Sequence, residues 1–174
     1  GVAFTTRMAA HLGTVAVAAP LLAFAVAGRE PRLGPIAASL IELVVVWLWH
    51  VPALRALAAD SWPAAALEQG SFLLAGFLLW HACLGGPRTD ARRAAGAFGL
   101  LLTSVHMTLL GVLLALAPRP LYGAGDVTCF GMTFGARQYQ ELGGVLMLLV
   151  GASVYLAGGV TLLARLLAIP AQRA

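Results

Sequence analysis

The stretch at residues 94–117 reads AAGAFGLLLTSVHMTLLGVLLALA and contains no charged residue. A helix rises about 1.5 Å per residue, so about 20 apolar residues cross the hydrocarbon core of a bilayer. The stretch is long enough to do this and predicts a transmembrane helix. His106 falls near its middle, where a polar ring is rare and costly.

The composition of the whole chain also indicates a membrane protein. Hydrophobic residues make up 60% of the 174 residues and charged residues 10%, and the mean hydropathy is +0.89. These values leave too little polar surface to cover a soluble globule of this length. The net charge is +4. Because the basic residues lie in short connections between apolar stretches, they indicate membrane topology and not a nucleic-acid partner.

Four more apolar spans can be marked on either side of residues 94–117. They cover residues 8–27, 35–54, 67–85 and 140–168. Polar turns that contain proline or glycine separate several of them, and no second domain is visible. The sequence therefore predicts a single all-α domain over residues 1–174, a polytopic membrane helix bundle with about five transmembrane helices.

The arginines predict the orientation of this bundle. With five spans, one side of the membrane receives four arginines, namely Arg7, Arg55, Arg119 and Arg137. The other side receives seven, namely Arg29, Arg32, Arg88, Arg92, Arg93, Arg165 and Arg173. The arginine-rich side is expected to be cytoplasmic, which places the N-terminus outside and the C-terminus in the cytoplasm. All basic residues are arginine and Ala, Leu and Gly are abundant, which is typical of a GC-rich bacterial genome, so we expect a bacterial inner membrane.

Polar side chains converge on the outer side of the predicted bundle. His11 lies a few residues inside the outer end of the first span, and His50 lies at a similar depth in the second. His50 belongs to the segment Trp47-Leu48-Trp49-His50-Val51-Pro52, in which the proline marks the outer exit of the span. The same side also receives Glu68, Gln69, Asp126, Cys129 and Met132.

These residue types suggest three roles for the histidines. Imidazole, thiolate and thioether ligands together suit Cu(I), and a metal site could draw on Met8, His11, His50, His106, Cys129 and Met132. Alternatively, His11 and His50 could be the two axial ligands of a haem, since they lie at matched depth. In the third interpretation each histidine only bonds a neighbouring group, which fits His81 and His106 taken singly. Because burial of ionisable groups in a membrane is costly, the set as a whole favours function.

Glu42 is an acidic residue inside the second span. A lone carboxylate in a membrane helix costs about 2.5–3.5 kcal/mol on insertion scales unless it is neutral or paired. Two interpretations stay open for it: a protonated, hydrogen-bonded structural glutamate, and a proton- or cation-handling one.

The two cysteines are expected on opposite sides of the membrane. Cys83 lies near the cytoplasmic end of the third span and Cys129 in an outer loop, so their sulfurs are too far apart for a disulfide within one chain.

The last span contains a stripe of glycines. Gly143, Gly144, Gly151, Gly158 and Gly159 recur at steps of seven to eight residues. Small residues on one face let helix backbones approach closely, so the stripe predicts a helix contact.

No catalytic constellation is visible in the sequence. It has no Ser-His-Asp order in a nucleophile-elbow context, no phosphate-binding glycine loop and no HExxH pair. We therefore expect a protein that is not an enzyme.

Six short motifs occur in order along the chain. They are Met8-x-x-His11 followed by Ala19-Pro20-Leu21-Leu22, Trp49-His50-x-Pro52, Leu67-Glu68-Gln69-x-x-Phe72, His106-Met107 with Leu121-Tyr122, and Gln140-x-x-x-Gly144-x-x-Met147. In this order, from residue 8 to about 150, the chain resembles the CtaG-type cytochrome c oxidase assembly factor family.

This resemblance implies a multi-span bacterial membrane protein that assists assembly or copper maturation of a haem-copper oxidase. It implies copper as the cargo, handled at the outer face, and oxidase subunits as partners within the lipid bilayer. His11, His50 and His106 carry over from the family pattern. Gln69 stands where the family often has histidine, and an amide is a poor Cu(I) ligand.

A second interpretation is of a different class. The chain could be a non-catalytic structural subunit of a respiratory or other membrane complex. Its histidines would then pack within the bundle or ligate haem.

Overall fold

The computed structural model describes residues 10–26, 28–86, 89–123, 127–129 and 132–168. Within these ranges the chain forms six helices and a short hairpin. The helices are α1 Ala10–Ala25, α2 Pro35–Trp49, α3 Pro52–Asp60, α4 Trp62–Leu84, α5 Asp90–Leu116 and α6 Ala136–Ala168. The hairpin joins β1 Val127–Cys129 to β2 Met132–Phe134 in antiparallel register, between α5 and α6. The all-α membrane bundle predicted from the sequence is confirmed.

The helices differ in their ability to cross a membrane. Among the described residues, α4, α5 and α6 are long and apolar enough to span one, and α2 with α3 makes a fourth if the bent pair counts as one span. The described part of α1 is apolar but shorter than the about 20 residues that a perpendicular crossing needs. Of the about five predicted spans, three are thus long helices and one is a broken span, and the described part of the first is short.

The prediction of a continuous helix over residues 35–54 is wrong. α2 ends at Trp49, and α3 leaves it at an angle of 72°. Pro52 causes the break, because it lacks a backbone N–H and disfavours helical geometry at the residue before it. Val51 is accordingly extended, with φ −64° and ψ 129°. The expectation that Pro52 marks the end of this helix is confirmed.

The bundle is organised around α5, which packs against α2, α4 and α6. Its core consists of large apolar side chains that are almost fully buried: Val15, Phe72, Leu79, Leu100, Met107, Met147 and Tyr155. Other large apolar side chains face outward, such as Leu116, which is 76% exposed, and Leu149, which is 66% exposed. An apolar exterior of this kind suits a lipid environment.

The glycine stripe of α6 makes the predicted helix contact, within the bundle. A Cβ atom built at Gly144 would lie 2.7 Å from the Ala115 nitrogen and from the Gly111 carbonyl oxygen. At Gly158 it would lie 2.8 Å from the Trp80 ring. Only glycine lets α6 approach α5 and α4 this closely.

Candidate functional site

The structure brings His11 and His50 together. Their ring centroids are 6.0 Å apart, with the ring planes at 66°. His11 is on α1 and is 2% exposed, and His50 is at the break between α2 and α3 and is 7% exposed. Phe72 of α4 lies against both rings, with its centroid 3.9 Å from that of His11 and 6.5 Å from that of His50. We call His11, His50 and Phe72 the histidine pocket.

The His50 ring is held by a backbone acceptor. Its Nδ1 lies 2.7 Å from the carbonyl oxygen of Val46, one turn earlier in α2. A carbonyl oxygen can only accept, so Nδ1 carries the proton and donates. In the neutral ring the lone pair is then on Nε2, which is buried and forms no hydrogen bond within the described part of the chain. Metal-ligating histidines are usually held in this way, with the second ring nitrogen bonded to a carbonyl or carboxylate.

The backbone of His50 is held as well. The Tyr122 hydroxyl, from the loop after α5, donates to the His50 carbonyl oxygen at 2.7 Å. Burial raises the pKa of Tyr122 to about 12, so its hydroxyl remains a donor through neutral pH. Because α2 has ended at Trp49, this carbonyl needs such an outside donor.

His11 has no hydrogen bond at either ring nitrogen among the described residues, although both atoms are buried. Leaving a buried polar atom without a partner costs about 1–3 kcal/mol. Two buried imidazoles thus lie side by side in this pocket. They have ring nitrogens that form no hydrogen bond to the described protein atoms.

A buried ion pair lies beside the histidine pocket. Arg55 of α3 donates to a carboxylate oxygen of Glu68 of α4, and both residues are buried. Glu68 lies one turn before Phe72 on the same helix, and the Arg55 charge is close enough to interact with both histidine rings. The pair fixes α3 against α4, so it sets the position of the helix break that carries His50.

A second contact fixes α2 against α4. The Trp49 indole N–H donates to the Ser71 hydroxyl at 2.8 Å, and this hydroxyl donates to the Glu68 carbonyl oxygen at 2.8 Å. Trp49 is thus a packing residue and not an interfacial one. Trp62, in contrast, is 81% exposed at the start of α4, as the membrane-interface interpretation expects.

An apolar cavity of about 560 Å³ reaches His50 from the side of the bundle. It lies between the end of α2, the end of α5 and the loop that carries Tyr122. Trp47 lines it, and the Trp47 indole N–H is buried without a hydrogen-bond partner in the described residues. His50 is thus one of the residues that line this cavity.

The other predicted metal ligands do not all join this pocket. His106 is buried on α5, 4% exposed, and neither of its ring nitrogens is hydrogen-bonded to a described residue. Within residues 10–26, 28–86, 89–123, 127–129 and 132–168, no group of three or more His, Cys, Asp or Glu side chains is placed to hold a metal ion. His106 is therefore not a third imidazole beside His11 and His50.

Three predicted ligands lie in or next to undescribed parts of the chain. Met8 is outside the described residues. The backbones of Cys129 and Met132 face each other in the hairpin register. Asp126, which we expected on the same side of the membrane but not as a ligand, is also outside the described residues.

The residues expected at the opposite end of the bundle have ordinary packing roles. His81 stacks on Phe77, with centroids 5.5 Å apart and the rings nearly parallel. Cys83 is buried and its thiol is free. These two do not add to the histidine pocket.

Sequence reasoning missed four parts of the site: the Phe72 ring, the Arg55–Glu68 ion pair, the Val46 carbonyl and the Tyr122 hydroxyl. In the sequence, Arg55 contributes only to the topology prediction. Glu68, Phe72 and Tyr122 did occur in the motifs quoted above, which was the available signal. No sequence signal indicated the Val46 carbonyl, because every residue type has a backbone carbonyl group.

The pocket can be tested for its fit to copper and to haem. A metal held by two imidazole nitrogens at about 2.0–2.1 Å each separates these nitrogens by about 4 Å. The ring centroids are 6.0 Å apart. Where a nitrogen of each ring faces the other ring, the two nitrogens are closer together than the centroids, and the distance leaves room for one ion between them. A porphyrin would need a wide slot between the rings, and Phe72 lies against both of them. The pocket therefore fits a single ion better than a haem.

Comparison with known proteins gives one family match. A family model described as cytochrome c oxidase caa3 assembly factor matches residues 33–168. The matched range includes His50, Glu68 and His106 and begins after His11. Neither the curated proteins nor the solved structures contain a match to the chain.

Proposed function

This chain belongs to the cytochrome c oxidase caa3 assembly factor family, and from this membership we propose that it holds Cu(I) between His11 and His50 for delivery to a subunit of a haem-copper oxidase. The single observation that carries the proposal is the state of His50. Its Nδ1 is bonded to the Val46 carbonyl, and its Nε2 is buried, unbonded and next to a second unbonded imidazole.

The number of ligands favours Cu(I) over a divalent ion. A structural Zn²⁺ site takes four ligands, and the described residues supply two imidazoles with no third His, Cys, Asp or Glu at this place. Imidazole also suits copper among the transition metals. Met8, Cys129 and Met132 remain proposed as additional soft ligands from the adjoining segments.

The surroundings of the pair suit a transfer site. Phe72 lies against both rings, and the apolar cavity that His50 lines adjoins the pocket. Partner subunits of a membrane oxidase would approach from this side. We place the pocket at the outer face of a bacterial inner membrane, with the N-terminus outside, on the arginine distribution alone.

The test is copper binding by the purified protein in mild detergent, measured by competition with a chromogenic Cu(I) chelator. We expect one Cu(I) per chain, and its loss in His11→Ala and His50→Ala. His81→Ala is the matched control, because His81 stacks on Phe77 away from the pocket. His106→Ala is also expected to retain copper.

Two results would overturn the proposal. One is unchanged Cu(I) binding in the His11→Ala/His50→Ala double variant. The other is a Soret absorption band in the purified protein, which would assign the histidines to haem. A colourless, copper-free protein that comigrates with a large complex would support the structural-subunit interpretation instead.

A further inference from the structure

Glu42 lies in the middle of α2 and is fully buried. The hydroxyl of Tyr155, from α6, donates to its Oε1 atom. The other carboxyl oxygen, Oε2, is buried and accepts no hydrogen bond from the described residues. None of the ion pairs found within the described ranges includes Glu42.

Among the described residues, the titratable groups close to Glu42 carry no positive charge. Tyr155 of α6 and Cys83 of α4 are the titratable groups close to it, and both are uncharged or anionic. From α5 comes Thr103, whose hydroxyl is near the carboxyl and shares a hydrogen bond of 2.8 Å with Ser39. An ionised carboxylate at this depth would therefore have no cation to balance it.

We infer that Glu42 is a proton-binding site: it rests as an uncharged carboxylic acid, and it exchanges this proton for one from water at the start of α2 by way of the Thr103 and Ser39 hydroxyls. The proton sits on Oε2, because Oε1 already accepts from Tyr155. No hydrogen bond joins Oε2 to Thr103 in the resting arrangement. When the Thr103 hydroxyl donates to Ser39, its oxygen keeps lone pairs, so a small movement of the two side chains lets it accept the proton from Oε2.

The position of Ser39 indicates the end of the bundle towards which this route leads. It lies one turn from the start of α2, at the end of the bundle opposite to the histidine pocket. Ser39 and Thr103 are both fully buried. The three side chains thus form a polar line from the middle of α2 towards its first turn, separate from the proposed copper pocket and independent of it.

Infrared spectroscopy of the purified protein tests the protonation state. A protonated carboxyl group has a C=O stretching band above the amide I region, and a carboxylate does not. We expect such a band at mildly acidic pH, its loss in Glu42→Gln, and its decay as the pH is raised. Thr108→Val is the control, since the Thr108 hydroxyl bonds the Ser104 carbonyl of its own helix and its removal should leave the band unchanged.

A second variant keeps the test decisive if Glu42→Gln does not fold. Tyr155→Phe removes the hydrogen bond to Oε1 and should move the band to higher frequency without removing it. The inference is overturned if, at every pH tested, no protonated-carboxyl band changes in Glu42→Gln or in Tyr155→Phe. Glu42 would then be ionised.

Hydrogen–deuterium exchange tests the route. Transfer into D₂O shifts the band as the acid proton is replaced, and Thr103→Val should slow this shift several-fold. Thr108→Val is the matched control, since the Thr108 hydroxyl bonds only the Ser104 carbonyl of its own helix at 2.8 Å. Equal exchange rates in the Thr103 and Thr108 variants would show that the proton does not pass through Thr103, and would overturn the relay.

Discussion

The Tyr122 hydroxyl donates to the carbonyl oxygen of His50 at 2.7 Å, across 72 positions of the chain. The bond joins the loop after α5 to the point where α2 breaks. It holds the backbone of one histidine, while the Val46 carbonyl holds its ring. The backbone and the ring of His50 are thus both held before any ligand arrives. This favours binding, because the residue does not have to be immobilised when the ligand binds.

The first prediction concerns this bond. Tyr122→Phe removes the donor and leaves the ring in place, so we expect Cu(I) affinity to fall by about 10-fold or more, as for other groups that orient metal ligands. Chelator competition measures it. Tyr155→Phe removes a buried hydroxyl that bonds Glu42, away from the histidine pocket, and should leave the affinity unchanged. Equal losses in both variants would point to general destabilisation instead.

The second prediction concerns the buried ion pair. Glu68→Gln removes the carboxylate of a buried ion pair, and breaking such a pair at one partner typically costs about 3–5 kcal/mol of unfolding free energy. The double variant Arg55→Met/Glu68→Leu should cost less than either single change, because it removes both charges of the pair together. Unfolding in detergent, followed by circular dichroism, gives the comparison.

The exposed pair Arg137–Glu141 is the control for the ion-pair prediction. Its atoms are 2.7 Å apart, but the two side chains are 63% and 37% exposed. Solvent screens such a pair, so Glu141→Gln should change the unfolding free energy by about 0–1 kcal/mol. A cost at Glu68 no larger than that at Glu141 would contradict the role of the buried pair.

The third prediction concerns the closest helix contact. Gly144→Ala would place a Cβ atom 2.7 Å from backbone atoms of Gly111 and Ala115, which cannot move away as a side chain can. We expect a loss of about 1–3 kcal/mol, the usual cost of overpacking. Thermal unfolding in detergent measures it.

Gly70→Ala is the matched control for Gly144→Ala. Gly70 is also inside a helix, and a Cβ atom there meets nothing within 4 Å. This change should be neutral or stabilising by up to about 1 kcal/mol, since alanine favours the helix. If both glycines tolerate alanine equally, the close approach of α6 to α5 is not needed for stability.

The fourth prediction concerns topology. Gly86 and Gly123 lie in turns, with φ of +78° and +73°, and the helix α5 lies between them. Reporter fusions after Gly86 should be cytoplasmic and fusions after Gly123 should be outside, on the arginine count. A fusion after Ser61, between α3 and α4, should share the side of Gly123. Reporters on the same side after Gly86 and Gly123 would rule out α5 as a membrane crossing.

The fold was largely predictable because long apolar runs leave few alternatives. The runs around His106 and Phe72 were correctly identified as helices, and the glycine stripe of α6 correctly indicated close packing. The helix break at His50 was only half predicted. Pro52 marked the end of α2, but the 72° turn into α3 depends on contacts with α4 that no local pattern encodes.

The candidate site was less predictable than the fold. The matched depth of His11 and His50 was visible in the sequence, but depth along a helix says nothing about which way a ring faces. His106 shows the difference, because it carries the same side chain and lies apart from the pair. Arg55 and Glu68 show it too, since their pairing requires α3 to fold back against α4.

The sequence by itself determined that this chain is an all-α membrane bundle of the oxidase assembly factor family, because hydropathy, helix length and ordered motifs are properties of linear segments. Only the tertiary structure decided which buried polar groups meet: His11 with His50, Arg55 with Glu68, and Glu42 with Tyr155. Each of these pairs joins two different helices. Their contacts depend on how the helices rotate and pack against each other, and many residues distributed over the whole bundle set that packing together.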